Sequence, residues 1–483
     1  LDTSQVTDMR FMFSWCKNLK SLDASGFVTS RVWSMSGMFM GCSGLESLDI
    51  SNFDTSNIIG KVGGDIDDMF FGCSSLTSLD LSSFDTSRIA SMSNTFRSCS
   101  SLTSLNINGF DTSAVVSMNS MFSCCSNLSS LDLSGFNTSN VVNFNGMFLG
   151  CSSLESLNVD GFDTSQGLKM CSMFNGCSKL TKLDVSGFDT SQVSSMLCMF
   201  AGCSSLPSLN ISSFDTSKVT DMDGMFDNCS GLKTLDVSGF DTSQVEYMSG
   251  MFYRCSGLTN LDVSGFDTSK VTNMSDMFLG CSDLTNLDMS GFDLSKTTDD
   301  GGMLLCCQPR YIHTPKVLPA DCRISLDKTY QNPDGVKTKV LTPEFAGTTL
   351  TLYIPPVDEQ FTDVPTGAWY VSAVQYAYDN GIMTGKTATN FAPNANLTRA
   401  EFATVLYSQA GKPTVTYQPI FQDVAQGAWY SSSVLWAYDN GIVSGYANGS
   451  FGTSDKITRE QLALMMYKYA QTKGYDTTAD DSI

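Results

Sequence analysis

The chain has 483 residues, with 28 basic side chains against 49 acidic ones, and carries a net charge of −21. Charged residues are 16% and hydrophobic residues 42%, too apolar for a disordered chain, and the acidic balance lacks the basic footprint of a nucleic-acid binder. No run of 18 apolar residues is present to span a membrane as a helix, and the single histidine, His313, argues against a His-based triad or a multi-His zinc site.

From the N-terminus, cysteines act as a ruler. Cys16, Cys42, Cys73, Cys99, Cys125, Cys151, Cys177, Cys203, Cys229, Cys255 and Cys281 recur every 26 residues, with one step of 31. Cys307 lies another 26 on, in a degraded twelfth unit. Five extra residues around Gly60-Lys61-Val62-Gly63-Gly64 account for the long step. A fixed period of this size predicts a solenoid and overrides the roughly three domains that length suggests.

Each unit has two halves. Leu258, Leu261 and Val263 have the LxxLxL spacing of a short strand with one face inward. Met274, Met277, Phe278, Cys281 and Leu284 have helical spacing, which predicts a turn or two of helix with Gly280 as its stop. Asp267-Thr268-Ser269, between the halves, is turn chemistry. An isolated unit buries too little to offset its ordering entropy, so neighbouring coils must supply the rest.

The recurring Met-Phe-x-x-Cys and Phe-Asp-Thr-Ser motifs resemble those of BspA-type leucine-rich-repeat surface proteins of bacteria. The resemblance covers residues 1–309 and implies a leucine-rich-repeat solenoid of short parallel strands plus short helical turns. It also implies a cell-surface role in adhesion, and no catalytic residues. One cysteine per coil at a core position reads as a small buried apolar residue. Cys124/Cys125, Cys306/Cys307, Cys171, Cys198 and Cys322 leave that ladder or lie beside it and are the better disulfide suspects.

Between the inward positions of the strand runs a polar row that includes Asp184, Asp236, Asp262 and Asp288, flanked mostly by serines. Two readings stand: an acidic recognition strip for a protein, glycan or cation, or a solvated face that keeps the solenoid soluble. Stacked like charges repel, and the strip has no aromatic anchor. No EF-hand loop or other metal-binding repeat is present, and we expect neither a metal nor a cofactor.

Residues 310–357 read as a β-rich cap and linker, with strands expected at 311–317, 322–330, 336–341 and 348–354. His313 falls in this cap and reads as structural. Two related units follow at 358–415 and 416–475, offset by 60 residues. Asp363, Trp369, Gly385 and Thr398-Arg399-Ala400-Glu401 in the first answer to Asp423, Trp429, Gly445 and Thr458-Arg459-Glu460-Gln461 in the second. Helices are expected near 371–380 and 398–410. Thr398 with Glu401, and Thr458 with Gln461, are capping boxes. Arg399 and Arg459 then stand in a first turn, where a cation opposes the helix dipole but suits a bound anion. For Trp369 and Trp429 we expect core packing first and stacking on a sugar second.

These units resemble surface-layer homology modules, wall anchors that usually come in threes. The resemblance implies binding of secondary cell-wall polysaccharide, often pyruvylated, in grooves between modules. By it, Arg399 and Arg459 meet the ketal carboxylate, with Trp369, Trp429, Asp363, Asp423, Gly385 and Gly445 as further groove positions. The second module departs at Glu460-Gln461 and has Gly452 where the first has Ala392, so its groove is expected to be weaker or structural. Residues 476–483 read as a linker or the start of a truncated third module. Leu1-Asp2-Thr3-Ser4 stands where Phe-Asp-Thr-Ser belongs, so we expect a piece of a longer exported protein.

The resulting expectation is a non-enzymatic protein of the bacterial cell surface and cell wall. Its partners are expected to be secondary cell-wall polysaccharide and a host, matrix or bacterial surface ligand. Two alternatives are a wall-anchored hydrolase with its catalytic domain elsewhere, and a spacer without a ligand.

Overall fold

The computed structural model describes residues 2–59, 65–475 and 477. The extra residues Gly60–Gly64 lie outside the described residues, as does nearly all of 476–483. The chain divides into two compact units, Leu1–Tyr353 and Ile354–Ile483.

The first unit is a β-solenoid. Its strands are β1 Ser21–Asp23, β2 Ser47–Asp49, β3 Ser78–Asp80, β4 Ser104–Asn106, β5 Ser130–Asp132, β6 Ser156–Asn158 and β7 Asn286–Asp288. β1–β2, β3–β4 and β5–β6 pair in parallel with equivalent residues in register, Leu22 on Leu48 and Leu131 on Leu157. Between β6 and β7 the ladder continues as single bridges such as Ser208 to Thr234 and Thr234 to Asn260. The LxxLxL leucines are mostly buried, and the polar residues between them face outward.

The Met-Phe half is not helical, a correction to the expectation from spacing. It is a run of β-turns, closed for example by Thr95 N–H to Met92 O (3.4 Å) and Cys99 N–H to Phe96 O (3.1 Å). The third residue of each turn is left-handed, with φ of 55° at Asn94 and 61° at Ser98. The alternate N–H groups of Met92, Asn94, Phe96 and Ser98 donate to the next coil at 2.7–3.0 Å. A helix would spend those donors inside its own coil and leave the coils unjoined. Nested turns bury the same i, i+3, i+4, i+7 positions, so spacing cannot separate the two.

Stacking then fills the interior. Phe122, Phe148, Phe174 and Phe200 form part of an aromatic column with centroids 5.6–5.8 Å apart and nearly parallel rings. Each ladder thiol from Cys42 to Cys281 donates to a phenylalanine carbonyl of the preceding coil, as in Cys125 to Phe96 (3.1 Å) and Cys281 to Phe252 (3.1 Å). The threonine of Phe-Asp-Thr-Ser is buried and clips coils together: Thr268 Oγ1 donates to Asp293 O (3.0 Å) and accepts Asp293 N–H (2.8 Å).

The cysteines divide by exposure. Cys16, Cys124 and Cys306 are exposed, Cys171 and Cys198 partly so, and the other twelve buried. Cys124, Cys198 and Cys306 occupy left-handed turn positions, with φ of 60°, 52° and 54°, which turns them away from the core. Burial pushes the Cys99, Cys151, Cys203 and Cys281 thiols up to about 12. We therefore expect a thiol reagent to modify Cys16, Cys124 and Cys306 quickly in the native reduced protein. The ladder from Cys42 to Cys281 should react only after denaturant is added; peptide mapping by mass spectrometry reads the difference.

The cap continues the solenoid without a break. β7 pairs in parallel with β8 (Tyr311–His313), which pairs antiparallel with β11 (Thr349–Leu352). β9 (Ile324–Gln331) lies between β11 and β10 (Lys337–Leu341). The open edge of the last coil is thus covered by four cap strands, which with β7 make a five-stranded sheet. His313 Nδ1 lies 3.0 Å from Thr349 Oγ1 across the β8–β11 pair.

The second unit is helical: α1 Val357–Gln360, α2 Val371–Asp379, α3 Arg399–Gln409, α4 Ser431–Asp439 and α5 Arg459–Thr472. Both capping boxes form, with Thr398 and Thr458 as N-caps. The packing does not follow the sequence repeat. The first repeat keeps a small core of Phe361, Val364, Val374 and Phe391. Its last helix, α3, instead contributes Phe402, Ala403 and Leu406 to the core of the second, among Phe421, Val434, Ala437 and Phe451. Among the described residues no helix is long and apolar enough to cross a membrane.

Candidate functional site

The packing of α3 onto the second repeat leaves a groove of about 700 Å³ within the helical unit. One wall is the 381–386 segment and the 391–397 turn; the other includes α3 residues, Trp429 and Ser433.

Gly385 lines the groove with φ +85°, and a Cβ there would lie 2.8 Å from the Phe361 ring and 3.0 Å from Asn390 O. The glycine thus permits the close pass over Phe361. Asp363 accepts the N–H groups of Phe391 (2.8 Å) and Ala392 (2.6 Å) and so pins the 391–397 turn. Gly445 and Asp423 repeat this frame. A Cβ on Gly445 would lie 2.5 Å from Phe421, and Asp423 accepts from Phe451, Gly452 and Thr453 at 2.6–2.9 Å. Gly452 has φ +80° where Ala392 has +62°, so the glycine of the second repeat suits its backbone better.

Burial alone would raise the Asp423 carboxyl; the N–H groups of Phe451, Thr453 and Gly452 outweigh it and hold the pKa below the usual range. A depressed folded pKa stabilises above the unfolded value of about 3.9, and the gain is lost as pH falls through the folded pKa. We expect Asp423→Asn to be less stable than wild type at pH 7 and to lose less stability on acidification to pH 2. Urea melts across that range read both.

Trp369 and Trp429 correct the expectation of core packing: they are 93% and 66% exposed. Each stands edge-on to the following tyrosine, with centroids 5.5 Å apart for Trp369–Tyr370 and 5.1 Å for Trp429–Tyr430. Trp429 lines the groove, whereas Trp369 is not among its lining residues.

Arg399 is 7% exposed and lies outside the groove lining. Its Nε donates to Phe451 O (3.0 Å) and its Nη2 to Ser444 O (3.1 Å), while the guanidinium lies over Tyr446 and Phe451 at 4.9 and 4.8 Å. It fastens α3 to the second repeat. Arg459 is exposed on the first turn of α5. The cations that line the groove are Lys386 and Lys412. Lys386 pairs with Glu401, whose other oxygen accepts Thr398 N–H (2.7 Å) and closes the capping box. Thr404 and Ser433 hydroxyls meet at 2.7 Å on the α3–α4 side. Sequence reasoning missed both lysines. Lys386 had a signal, its place beside Gly385; Lys412 had none.

On the solenoid, Asp184, Asp236 and Asp262 are exposed and Asp288 half-buried. Each accepts the N–H of the serine two residues on, at 2.9–3.0 Å. In the first three the serine hydroxyl also donates, at 2.6 Å, and these bonds hold their pKa values down. The row thus closes turns as well as presenting charge. Among the described residues no group of three or more metal-ligating side chains is gathered.

Fold and groove define the class: a β-solenoid of about eleven turns with short parallel strands, followed by a helical unit carrying S-layer homology domains. The S-layer homology matches are residues 360–403 and 420–463. The chain belongs to the family described as "Mycoplasma protein of unknown function, DUF285", which matches residues 1–61 and, in overlapping segments, 64–309, together more than half of its length. An endoglucanase of Bacillus sp. (strain KSM-635) is 33% identical over 116 residues, 23% of this chain and 12% of that protein. An amylopullulanase of Thermoanaerobacterium thermosulfurigenes is 31% identical over 119 residues, 24% and 6%. An S-layer protein of Bacillus thuringiensis subsp. finitimus is 32% identical over 109 residues, 22% and 13%. The chain therefore spans at most 13% of the length of these three, and the two named as glycosidases match it only at the S-layer homology region. The S-layer homology domains and S-layer relatives support a surface-anchored cell-wall protein.

Proposed function

We propose that this is an exported, non-enzymatic surface protein whose helical unit holds it to the wall while the solenoid meets a ligand. The modules are read as residues 358–415 and 416–475, and the solenoid as a BspA-like leucine-rich-repeat array with a recognition role. The supporting observation is the groove, where an exposed indole, Trp429, shares one cleft with Lys386 and Lys412. An aromatic face beside cations suits a sugar bearing carboxylates, such as pyruvylated secondary cell-wall polysaccharide. Asp363 and Gly385 shape the wall of that groove, Asp423 and Gly445 the matching frame in the second repeat, and Arg399 joins the two. Trp369 and Arg459 are exposed and are kept as secondary contact candidates. The Asp184, Asp236, Asp262 and Asp288 strip is the candidate ligand face of the solenoid.

Co-sedimentation of the full chain with purified walls tests the anchor. Trp429→Ala is expected to weaken binding about tenfold with an unchanged melting curve, because the indole is solvent-facing. Walls stripped of anionic substituents should bind less, as should Lys412→Ala. Undiminished binding in all three cases rules the groove out. A second reading, a hydrolase with its catalytic domain outside residues 1–483, draws on the names of the glycosidase relatives. Activity of the longer gene product on wall glycans would favour it.

A further inference from the structure

The 60-residue offset between the helical repeats makes one interface of this unit a template for another. α3, the last helix of the first repeat, lies on α4 of the second. Thr404 Oγ1 and Ser433 Oγ meet at 2.7 Å, and the Tyr407 ring stands 5.6 Å from Trp436. Beside them Ala403 and Leu406 are fully buried or nearly so, and Trp436 is only 8% exposed.

Each half of this interface recurs without the other half. On α5, Ala463, Leu464, Met466 and Tyr467 stand where α3 has Ala403, Thr404, Leu406 and Tyr407. All four are exposed, Leu464 and Met466 by 52% each. On α2, Ala373 and Tyr376 stand where α4 has Ser433 and Trp436, and both are exposed, Tyr376 by 66%. Both faces lie open in the same chain, so they do not cover one another.

The two open faces also match in chemistry. In the template a hydroxyl meets a hydroxyl, Thr404 on Ser433. At the corresponding positions both sides are apolar, Leu464 and Ala373, so neither leaves a polar group against an aliphatic one. The ring pair Tyr407–Trp436 has its counterpart in Tyr467 and Tyr376. Arg399 fastens the template by donating to Ser444 O and Phe451 O. Arg459 holds its place on α5, and the corresponding carbonyls belong to Thr384 and Phe391.

We propose that α5 of one copy docks on α2 of a second copy of this chain. Leu464 then packs on Ala373 and Tyr467 on Tyr376, and Arg459 reaches the Thr384 and Phe391 carbonyls. Trp429 of the second repeat lines the groove framed by Gly385. By the same relation Trp369 of the second copy, 93% exposed, enters the frame built by Gly445 in the first. The contact is head-to-tail, because each copy offers one α5 face and one α2 face. It is independent of the wall-binding reading.

Sedimentation velocity of the full chain over a roughly hundredfold range of concentration tests this. Wild type should shift to larger species as concentration rises. Leu464→Glu/Tyr467→Glu alters the α5 face, and Ala373→Glu/Tyr376→Glu the α2 face. All four side chains are exposed, so each variant should keep the wild-type circular dichroism and melting curve at low concentration. Each variant alone should stay monomeric. Mixed, the two should form a dimer and stop there, because each retains the face the other lacks. A wild type that remains monomeric overturns the proposal and gives the α5 face to a different occupant. Association that survives in both variants also overturns it, since the contact then lies elsewhere on the chain. So does a mixture of the variants that stays monomeric, because each face would then pair with itself.

Discussion

Arg399→Ala should cost the helical unit about 3 kcal/mol, read by urea denaturation followed through the buried Trp436. The wild-type guanidinium donates to two carbonyls of the second repeat and lies over two rings. Charge-assisted hydrogen bonds contribute about 1.5–3 kcal/mol and a partly desolvated cation–π contact about 1 kcal/mol. Truncation also leaves the Phe451 and Ser444 carbonyls without their donors. Arg399→Lys should recover less than half, because an ammonium cannot span two carbonyls and stack as a planar fork does. Arg459→Ala, on an exposed first turn, should stay within about 0.5 kcal/mol of wild type. Were Arg399 chiefly a ligand for an anion, its removal would abolish wall binding and leave the melt unchanged. Loss of stability is the discriminating result.

Phe148→Ala is expected to be the most damaging single change in the solenoid, at about 3–5 kcal/mol. Phe148 is fully buried and stacks on Phe122 and Phe174 at 5.8 and 5.6 Å. The cavity cannot close, because the backbone bonds Phe122 N–H to Met147 O and Phe148 N–H to Met173 O (each 2.9 Å) fix the coil spacing. Coils interact only with neighbours, so the damage should be local. Hydrogen exchange should accelerate in the coils around residues 122–177 well before those around residues 240–280. The Cys151 thiol, which donates to Phe122 O (3.1 Å), should become reactive in the variant while Cys255 stays protected. A uniform loss of protection along the array would contradict nearest-neighbour stacking.

The legible parts of this protein were those in which one residue type does one local job. The cap strands and both capping boxes follow from short-range chemistry, such as Thr398 and Glu401 three residues apart. The Asp–Ser turns likewise need only neighbours in sequence, as Asp262 and Ser264 show. The tryptophans are not legible in this way: large aromatics generally prefer burial, whereas Trp369 and Trp429 point outward from short loops ahead of α2 and α4. The place of Arg399 in a first helical turn suggests an anion ligand, but its partners, Ser444 and Phe451, lie 45 and 52 residues away.

By itself the sequence determined the period, the residues that fill each coil and where the acidity resides: −18 over residues 1–300 and −3 over 301–483. Those follow from counting and from hydrophobic burial, which any coil of this composition must achieve. Only the tertiary structure decided that the Met-Phe half is nested turns, because its N–H groups are claimed by the next coil rather than by its own. It likewise decided that α3 belongs to the core of the second repeat, and that the groove holds Trp429 with Lys386 and Lys412. Burial spacing is indifferent to which partner does the burying, and hydrogen-bond donors commit to whichever acceptor the folded chain brings within reach.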